Sequence, residues 1–359
     1  MKKLCKRKRV SMKITMKAIV KQDPTPGALA LADVPIPTIS GYEVLIKIER
    51  TAICGTDIHI YTWDEWAKKT IKTPQIIGHE FVGRVVQVGK HVTTVKEGEL
   101  VSGEGHIVCK TCRHCITGKE HLCRQTIGIG VNIDGVFAEY AKVPASNVWV
   151  CDESIDNDVL SVLDPLGNAV HTALSFSLIG EDVLITGAGP IGLMSIPIVK
   201  HVGARNIVVT DINPKRLEMA KELGADVIVD VSKQKLTDVI KNIKGLVEGF
   251  DVGLEMSGSP TAFNDMVETM ANGGKMAILG ILPDSTKIDW NKFIFRSLFM
   301  KGIYGREMYD TWYKMNALLQ RGLDKEIAKV ITHRMCYKEF EEAFKIMASG
   351  ESGKIVLHW

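Results

Sequence analysis

No stretch of this 359-residue chain approaches the roughly 20 apolar residues that a membrane-spanning helix needs, which excludes a membrane-embedded protein. The sequence also has no internal repeat and no low-complexity segment. Neither sign of charge dominates, with 45 Lys and Arg against 42 Asp and Glu. Hydrophobic residues make up 45% and charged residues 24%, near the globular averages, so disorder, collagen-like repeats and coiled coil are poor global descriptions. The length indicates about two domains.

The small net charge of +3 hides a basic N-terminus. Residues 1–13 hold seven Lys or Arg and no acid, which leaves 38 basic against 42 acidic residues in the remainder. A nucleic-acid surface needs basic residues spread over a folded face, so we expect residues 1–15 to be a disordered extension instead. The segment lacks the apolar core of a secretory signal. Met12 and Met16 are alternative starts.

Cysteine is scarce outside one short segment. Eight cysteines in a chain of this length do not indicate disulfide staples, which favours a reducing cytoplasm. Four of them form the pattern Cys109-x2-Cys112-x2-Cys115-x7-Cys123. Four thiolates from one loop complete a tetrahedral zinc shell with no open position, so the pattern predicts a structural zinc. An iron–sulfur cluster is the alternative.

The predicted secondary structure changes character near residue 155. Alternating or Gly-rich segments before that point predict strands at 43–49, 81–89 and 137–143. A helix is predicted over Val159–Leu163, and from Asp182 onward short apolar runs alternate with helical patterns, which predicts a doubly wound parallel sheet. The predicted strands of this part are 183–186, 206–210, 227–229, 252–255 and 276–279, its helices 191–202 and 215–223, and a helix at 308–319 and a strand at 354–359 follow.

A glycine-rich turn lies between the first strand and helix of this alternation. Gly187-Ala188-Gly189-Pro190-Ile191-Gly192 is followed nineteen residues later by Asp211, at the end of the next strand. The helix N-terminus would bind a pyrophosphate and Asp211 the ribose hydroxyls, and the charge of Asp211 favours NAD over NADP. Arg216 lies close by as a further cofactor contact. An ordinary β-turn-α junction with convenient glycines is the alternative.

A second set of metal ligands is spread over distant segments. Cys54 and His79 form a soft and borderline ligand pair that suits zinc. A catalytic zinc needs about three protein ligands and an exchangeable position, and Glu80 or Asp164 offers an oxygen.

From about Met16 to Trp359, the chain resembles the zinc-dependent medium-chain alcohol dehydrogenase family. Gly78-His79-Glu80 with its spaced glycines, the four-cysteine segment and the glycine-rich turn carry the resemblance, in the family's order. The resemblance implies an α/β fold with a GroES-like irregular β catalytic domain at 16–165 and 306–359, and a Rossmann domain at 166–305. The segments 51–61, 63–66, 102–106, 164–171 and 301–307 are most similar to members that oxidise L-threonine.

The resemblance also implies a mechanism. Zinc on Cys54, His79 and Glu80 acts as a Lewis acid on the C3 hydroxyl of L-threonine, and hydride passes to NAD to give 2-amino-3-oxobutanoate. The proton leaves through Thr56, a nicotinamide ribose hydroxyl and His59.

Further residues take roles from the same resemblance. Asp164 acts near the metal, with direct ligation left open. His106 shapes substrate choice, with a packing histidine as the alternative. Leu279-Gly280-Ile281 and Ile303-Tyr304 line the cofactor path, at strand ends where doubly wound sheets bind ligands.

The expected cofactors are NAD and two zinc ions per chain, and the expected assembly is a homotetramer, for which the apolar run Phe293–Ile303 offers a contact. We expect no membrane or nucleic-acid partner. Two other functions stay open: a different secondary-alcohol or polyol dehydrogenase, and a non-catalytic zinc- or nucleotide-binding scaffold. The sequence does not identify the side chains that bind the substrate ammonium and carboxylate.

Overall fold

The protein is described by a computed structural model over residues 15–359. The basic segment therefore lies outside the described residues, except that Thr15 begins the first strand and pairs with Pro35. No helix in the described part is long and apolar enough to cross a membrane.

Strands and helices alternate along the chain, with short 3-10 and π turns between some of them. The strands are β1 (Thr15–Lys21), β2 (Leu29–Pro35), β3 (Glu43–Ala52), β4 (Gln75–Ile76), β5 (Glu80–Val88), β6 (Leu100–Gly103), β7 (His106–Ile107), β8 (Ile127–Gly128), β9 (Tyr140–Pro144), β10 (Val148–Val150), β11 (Asp182–Thr186), β12 (Asn206–Asp211), β13 (Val227–Asp230), β14 (Phe250–Glu255), β15 (Met270–Ile278), β16 (Phe299–Gly302), β17 (Ile331–Cys336) and β18 (Lys354–His358). The helices are α1 (Gly55–Thr62), α2 (Glu65–Thr70), α3 (Arg113–Ile116), α4 (Asn157–Ser161), α5 (Leu163–Ala173), α6 (Pro190–His201), α7 (Pro214–Glu222), α8 (Leu236–Val239), α9 (Pro260–Thr269), α10 (Trp290–Phe295), α11 (Asp310–Leu318), α12 (Asp324–Val330) and α13 (Phe340–Ser349).

The first half of the chain forms a mostly antiparallel β structure that the C-terminal strand completes. Its main sheet has the order β10–β6–β5–β3–β18–β17, with β9 also paired to β3. The C-terminal β18 pairs with β3, so the last residues of the chain lie against the segment that precedes Cys54. The strand predicted at 43–49 is present and continues to Ala52. The one predicted at 137–143 begins only at Tyr140.

The middle of the chain forms a parallel sheet with the order β13–β12–β11–β14–β15–β16. The order reverses between β11 and β14, which is the position where doubly wound sheets open a ligand crevice. The predicted fold class is therefore confirmed. The predicted helix at 159–163 is divided at Val162 between α4 and α5.

Both faces of this sheet are covered. Successive residues of a strand point to opposite faces, and here residues of both faces are apolar. Val183 and Ile185 pack in a core with α5 and α6, while Leu184 and Val208 pack in a second core that contains Phe263 of α9. Strands covered on both faces show such continuous apolar runs. The rigid sheet fixes the loops that follow its strands.

Candidate active site

The first candidate ligand, Cys54, is held at the start of α1. Its backbone N–H donates to Oδ2 of Asp57 at 2.9 Å in a capping-box arrangement, which fixes the chain where the thiol emerges. Asp57 is fully buried, and burial raises the pKa of its carboxyl above the ordinary value. The sequence pattern did not identify Asp57 as a support of the site.

His79 and Glu80 reach Cys54 from the start of β5. Gly78 before them has a φ of +88°, and a Cβ there would lie 2.0 Å from the Phe137 ring, so glycine is required at this turn. One ligand atom from each of Cys54, His79 and Glu80 lies within 4.8 Å of the others. The structure thus brings together the three residues predicted to hold a catalytic zinc.

The chemistry of this cluster fits a metal cation. Among residues 15–359, neither Oε1 of Glu80 nor Nδ1 of His79 has a hydrogen-bond partner, although both atoms are buried. Burial opposes a charged imidazole, but Cys54, Asp57 and Asp164 outweigh it and raise the pKa of His79 well above its ordinary value. A cysteine sulfur, an imidazole nitrogen and a carboxyl oxygen that lie this close together are ligands that suit zinc.

Lys354 is the buried counter-charge of this cluster. Its Nζ lies 2.6 Å from Oε2 of Glu80 and donates to the carbonyl of Ile53 at 2.6 Å. Burial raises the pKa of Glu80, and Lys354 acts against this shift. The pairing of β18 with β3 brings Lys354 to this position from 301 residues away, which no local sequence pattern reveals.

Asp164 lies beside the cluster on α5 but outside the group of ligands that surround one point. Its Oδ1 lies 2.9 Å from Nη2 of Arg306. Arg306 is 1% exposed and also donates to both oxygens of Glu104 and to Oδ1 of Asn168. Burial opposes the charge of Glu104, but Arg306 and His106 hold its pKa well below the ordinary value.

His106 belongs to this buried network. Its Nδ1 lies 3.0 Å from Glu104 and 3.1 Å from Arg306, and its ring lies against Tyr304. These contacts at Nδ1 fix the orientation of the imidazole ring.

The predicted relay residues lie on α1. Oγ1 of Thr56 is 3.8 Å from Sγ of Cys54, which places the hydroxyl at the cluster. His59 is exposed one turn further along, and its Nδ1 lies 2.6 Å from Oδ2 of Asp64. The helix thus leads from the ligand cluster to the surface.

The four-cysteine segment forms a separate cluster around α3. Pairs of its sulfur atoms are 3.5 to 4.0 Å apart, from Cys123 to Cys109 at the short end and from Cys112 to Cys123 at the long end. A tetrahedral shell with Zn–S bonds of about 2.3 Å has edges of about 3.8 Å, so the cluster fits one zinc ion. The N–H and hydroxyl of Thr111 and the N–H of Cys112 lower the pKa of Cys109 to about 6, whereas burial raises that of Cys115 to about 12.

The glycine-rich turn leads from β11 into α6 as predicted. Gly187 has a φ of +91°, and a Cβ there would lie 2.8 Å from Ser257, while a Cβ on Gly192 would lie 2.0 Å from the Gly187 carbonyl. A Cβ on Gly189 would meet nothing within 4 Å, so this side of the turn is open where a pyrophosphate would approach the helix N-terminus. Pro190 occupies the first turn of α6, followed by half-buried Ile191.

Asp211 ends β12 next to this turn. Its Oδ2 accepts from the Ala188 N–H at 2.6 Å, and its Oδ1 accepts from the N–H groups of Ile212 and Asn213. The carboxylate therefore links the glycine-rich turn to the loop that follows β12. This structural role adds to the ribose contact predicted from the sequence. Arg216 lies half-buried on the first turns of α7.

The remaining predicted cofactor residues lie at the carboxyl ends of β15 and β16. Gly280 packs against Glu255 and Gly258, where a Cβ would lie 2.2 Å from the Gly258 nitrogen. Leu279 and Gly280 both donate to the carbonyl of Glu255, Ile281 is exposed, and Ile303 donates to Ile278 next to exposed Tyr304.

Glu255 is a support that sequence reasoning missed. Its buried carboxylate accepts from the N–H groups of Ser257 and Gly258 and from the Ser257 hydroxyl, and burial raises its pKa. An acid directly after the apolar run 252–254, at the end of a predicted strand, was the available signal.

Comparison with known proteins connects these features to a family. Residues 40–153 match the alcohol dehydrogenase GroES-like domain, and residues 190–321 match the zinc-binding dehydrogenase domain. The chain is 56% identical over 344 residues to the L-threonine 3-dehydrogenase of Legionella pneumophila strain Corby, covering 96% of this chain and all of the relative.

Solved structures show the same overall fold. An alcohol dehydrogenase from E. coli CFT073 complexed with NADH aligns with a TM-score of 0.88 at 27% identity, over 97% of this chain and all of that one. A putative zinc-binding dehydrogenase from Sinorhizobium meliloti 1021 bound to NADP aligns with a TM-score of 0.87 at 27% identity and the same coverage. The chain belongs to the zinc-dependent medium-chain alcohol dehydrogenase family.

Proposed function

We propose that this protein oxidises L-threonine at C3 to 2-amino-3-oxobutanoate with NAD as the acceptor. The observation that carries the substrate is the 56% identity, over the full length of the relative, to a protein named L-threonine 3-dehydrogenase. The cluster of Cys54, His79 and Glu80 supports the reaction type, because a scaffold without catalysis has no need of a cysteine, a histidine and a glutamate whose ligand atoms surround one point.

Zinc is the metal that these ligands suit, and a second zinc suits the four cysteines. When bound at the first site, zinc supplies a Lewis acid that lowers the pKa of the substrate hydroxyl. Lys354 fixes the carboxylate of Glu80, which is one of these ligands. Asp164, held by Arg306 at 2.9 Å, places a carboxyl group beside the site.

Thr56 and His59 move the proton that the substrate hydroxyl loses. The Thr56 hydroxyl lies next to the Cys54 sulfur and both accepts and donates a proton. His59 reaches solvent from the same helix, and an imidazole is a suitable proton carrier near neutral pH. His106 lies against Tyr304 and is proposed to influence substrate choice, since Glu104 and Arg306 hold its ring in place.

NAD is the preferred cofactor in this proposal. The open side of Gly189 and the N-terminus of α6 bind the pyrophosphate, and the charge of Asp211 disfavours a 2′-phosphate. Replacing Asp211 by Asn removes the charge. The amide oxygen still accepts the two N–H bonds from Ile212 and Asn213, whereas the NH₂ group cannot accept the bond from Ala188. We expect the ratio of kcat/KM for NAD over NADP to fall about tenfold or more, the cost of roughly one unfavourable charge contact.

We further propose that the protein is a cytoplasmic homotetramer. The edge strand β16 exposes Phe299 at 54% and Met300 at 40%, and the neighbouring α10 exposes Ile294 at 68% and Phe295 at 83%. Adjacent apolar side chains on an unpaired sheet edge are typical of a protein contact surface, and a second copy is the partner proposed for it. Light scattering of the wild type and of Phe295→Glu tests the assembly.

The substrate test is NADH formation with L-threonine beside D-threonine, sorbitol and 2,3-butanediol, before and after chelation. Chelator-sensitive activity on L-threonine well above the others supports the proposal. Greater activity on a polyol would replace the substrate but keep the dehydrogenase. No activity on any of them, with a single zinc per chain, would favour the non-catalytic scaffold.

A further inference from the structure

The sharp turn between α1 and α2 returns the chain to His59. Trp63 caps the C-terminus of α1, and its backbone is left-handed with a φ of 57°. Both Trp63 and Asp64 donate their N–H groups to the His59 carbonyl. Trp63 itself is 7% exposed, with the Lys21 ammonium 4.9 Å from the centre of its ring. A residue held in this uncommon conformation by its packing makes the turn rigid.

The two oxygens of Asp64 have separate partners. Oδ1 accepts from the Ala67 N–H at 2.9 Å and thereby caps α2, and Oδ2 lies 2.6 Å from Nδ1 of His59. The cap determines the position of the carboxylate, because the first turn of a helix offers fixed N–H donors. The Trp66 ring lies edge-on to His59 with 6.0 Å between the centroids, so α2 contacts the imidazole on a second side.

This geometry determines which nitrogen of His59 carries the proton. An ionised carboxylate only accepts hydrogen bonds, so Nδ1 must be the N–H of the neutral ring. Partial burial opposes ionisation of Asp64, but the Ala67 N–H and His59 outweigh it and lower the pKa of the carboxyl. Nε2 then has a free lone pair, and it has no partner in the part of the chain that the structure describes.

We propose that Asp64 is a positioning residue that holds His59 in the Nδ1–H tautomer, with Nε2 available to accept the proton released from the active site. The inference rests on the proposed relay role of His59. The Nε2–H bond forms as the proton arrives, the Nδ1–H hydrogen bond to Asp64 persists in the imidazolium, and the same Nε2–H proton passes to water. Nothing is oxidised or reduced in this step.

Two substitutions of Asp64 separate its contact with His59 from its capping of α2. In Asp64→Asn, the Ala67 N–H still requires an acceptor, so the amide oxygen takes the capping position and the NH₂ group faces His59. That group donates to Nδ1 and forces the proton to Nε2, the wrong tautomer for accepting a proton. In Asp64→Ser, the hydroxyl still caps α2 but is too short to reach the imidazole, so His59 has no fixed tautomer.

The direct test is a ¹H–¹⁵N correlation of the imidazole rings in the full-length zinc-loaded protein labelled with ¹⁵N-histidine. The His59 signals are assigned by their loss in His59→Gln. We expect the Nδ1–H tautomer in the wild type, the Nε2–H tautomer in Asp64→Asn and a mixture in Asp64→Ser. An unchanged tautomer in Asp64→Asn would overturn the inference whatever the activity.

The kinetic test uses the same proteins with L-threonine and NAD. We expect kcat to fall about tenfold in Asp64→Asn, less than the roughly 10²–10⁴-fold that a general acid–base group supplies, because water reaches this exposed relay. Glu65→Gln removes the same charge from the adjacent residue, which is paired with Lys68, and is expected to keep kcat and the tautomer. An inverted tautomer with unchanged kcat in both Asp64→Asn and His59→Gln would instead refute the relay itself. That result would leave the threonine dehydrogenase proposal to its own substrate test.

Discussion

The two ligand clusters are built in opposite ways. The cysteine cluster takes its four ligands from fifteen consecutive positions, and backbone N–H groups of the same loop, including that of Cys112, donate to its sulfur atoms. The cluster of Cys54, His79 and Glu80 joins the start of a helix to the start of a strand and depends on Lys354 from the end of the chain. The first is a local structure, and the second is a product of the whole fold.

The difference has consequences for how each cluster is held. The cysteine cluster has no buried counter-ion among the described residues of its loop, so a metal must balance its thiolates. The other cluster lies among buried charges that already compensate one another, namely Glu80 with Lys354 and Glu104 with Arg306. We therefore expect loss of zinc to unfold the cysteine cluster. At the cluster of Cys54, His79 and Glu80, we expect loss of zinc to abolish activity without unfolding.

The largest expected effect is the loss of one thiolate from the cysteine cluster. Structural zinc contributes about 10–16 kcal/mol in small zinc domains, so Cys112→Ser should release one zinc per chain and strongly lower the midpoint of thermal unfolding. Elemental analysis and calorimetry measure both quantities. Cys336→Ser, at an exposed cysteine outside the clusters, is the control. Retained zinc and an unchanged midpoint in Cys112→Ser would remove the distinction between the clusters.

Cys54→Ser should have the opposite profile. A Lewis acid is worth several kcal/mol, so we expect kcat with L-threonine to fall at least about 1,000-fold. The midpoint of thermal unfolding should change little, because the Asp57 cap and the Lys354 pair remain. Steady-state NADH formation and calorimetry on the same preparation check the two halves of this expectation. A midpoint that falls as far as in Cys112→Ser would contradict it.

The same contrast explains how much of the molecule was predictable from sequence. The four cysteines between Cys109 and Cys123 are close in sequence, and the turn from Gly187 to Gly192 lies between a predicted strand and a predicted helix. Both sites could therefore be predicted from local sequence patterns. Glu104 and Arg306, 202 residues apart, show no local signal of their partnership.

Helix α1 escaped prediction for a different reason. It has only eight residues, too few to show a clear helical period, and it depends on the cap between Cys54 and Asp57. Cys54 and His79, on either side of it, were proposed as a zinc-ligand pair from their chemistry. The full set with Glu80 was assigned through family resemblance, since a lone Cys or His is most often structural.

Breaking the buried network without touching a ligand should give an intermediate effect. Glu104→Gln leaves the Arg306 guanidinium buried with less charge compensation, and removing one partner of a buried pair costs about 3–5 kcal/mol in the free energy of unfolding. Glu153→Gln, which breaks the exposed pair with Arg84, should cost about 0–1 kcal/mol. Urea unfolding at pH 7 measures both. Equal losses would show that burial does not strengthen the network.

The pH dependence of this difference follows from the depressed pKa of Glu104. Burial opposes its ionisation, but Arg306 and His106 hold the folded pKa well below the ordinary 4.5. The stabilisation is then complete above about pH 4.5 and is lost as the pH falls through the folded pKa. The gap in unfolding free energy between wild type and Glu104→Gln should be constant from about pH 6 to 8 and narrow below about pH 4. A difference in unfolding free energy that increased on acidification would contradict this prediction.

The smallest expected effect concerns charge in the cysteine loop. Lys110 pairs with Glu120 at 2.9 Å, but its side chain is 43% exposed, so Lys110→Ala should cost only about 0.2–1 kcal/mol and keep both zinc ions. Lys110 also has a φ of +59°, which glycine adopts without penalty, so Lys110→Gly should recover most of that loss. Calorimetry of both variants separates the ion pair from the backbone conformation. A loss well above 1 kcal/mol in Lys110→Gly would show that charge, as well as metal, holds this cluster, and the two clusters would then differ in degree only.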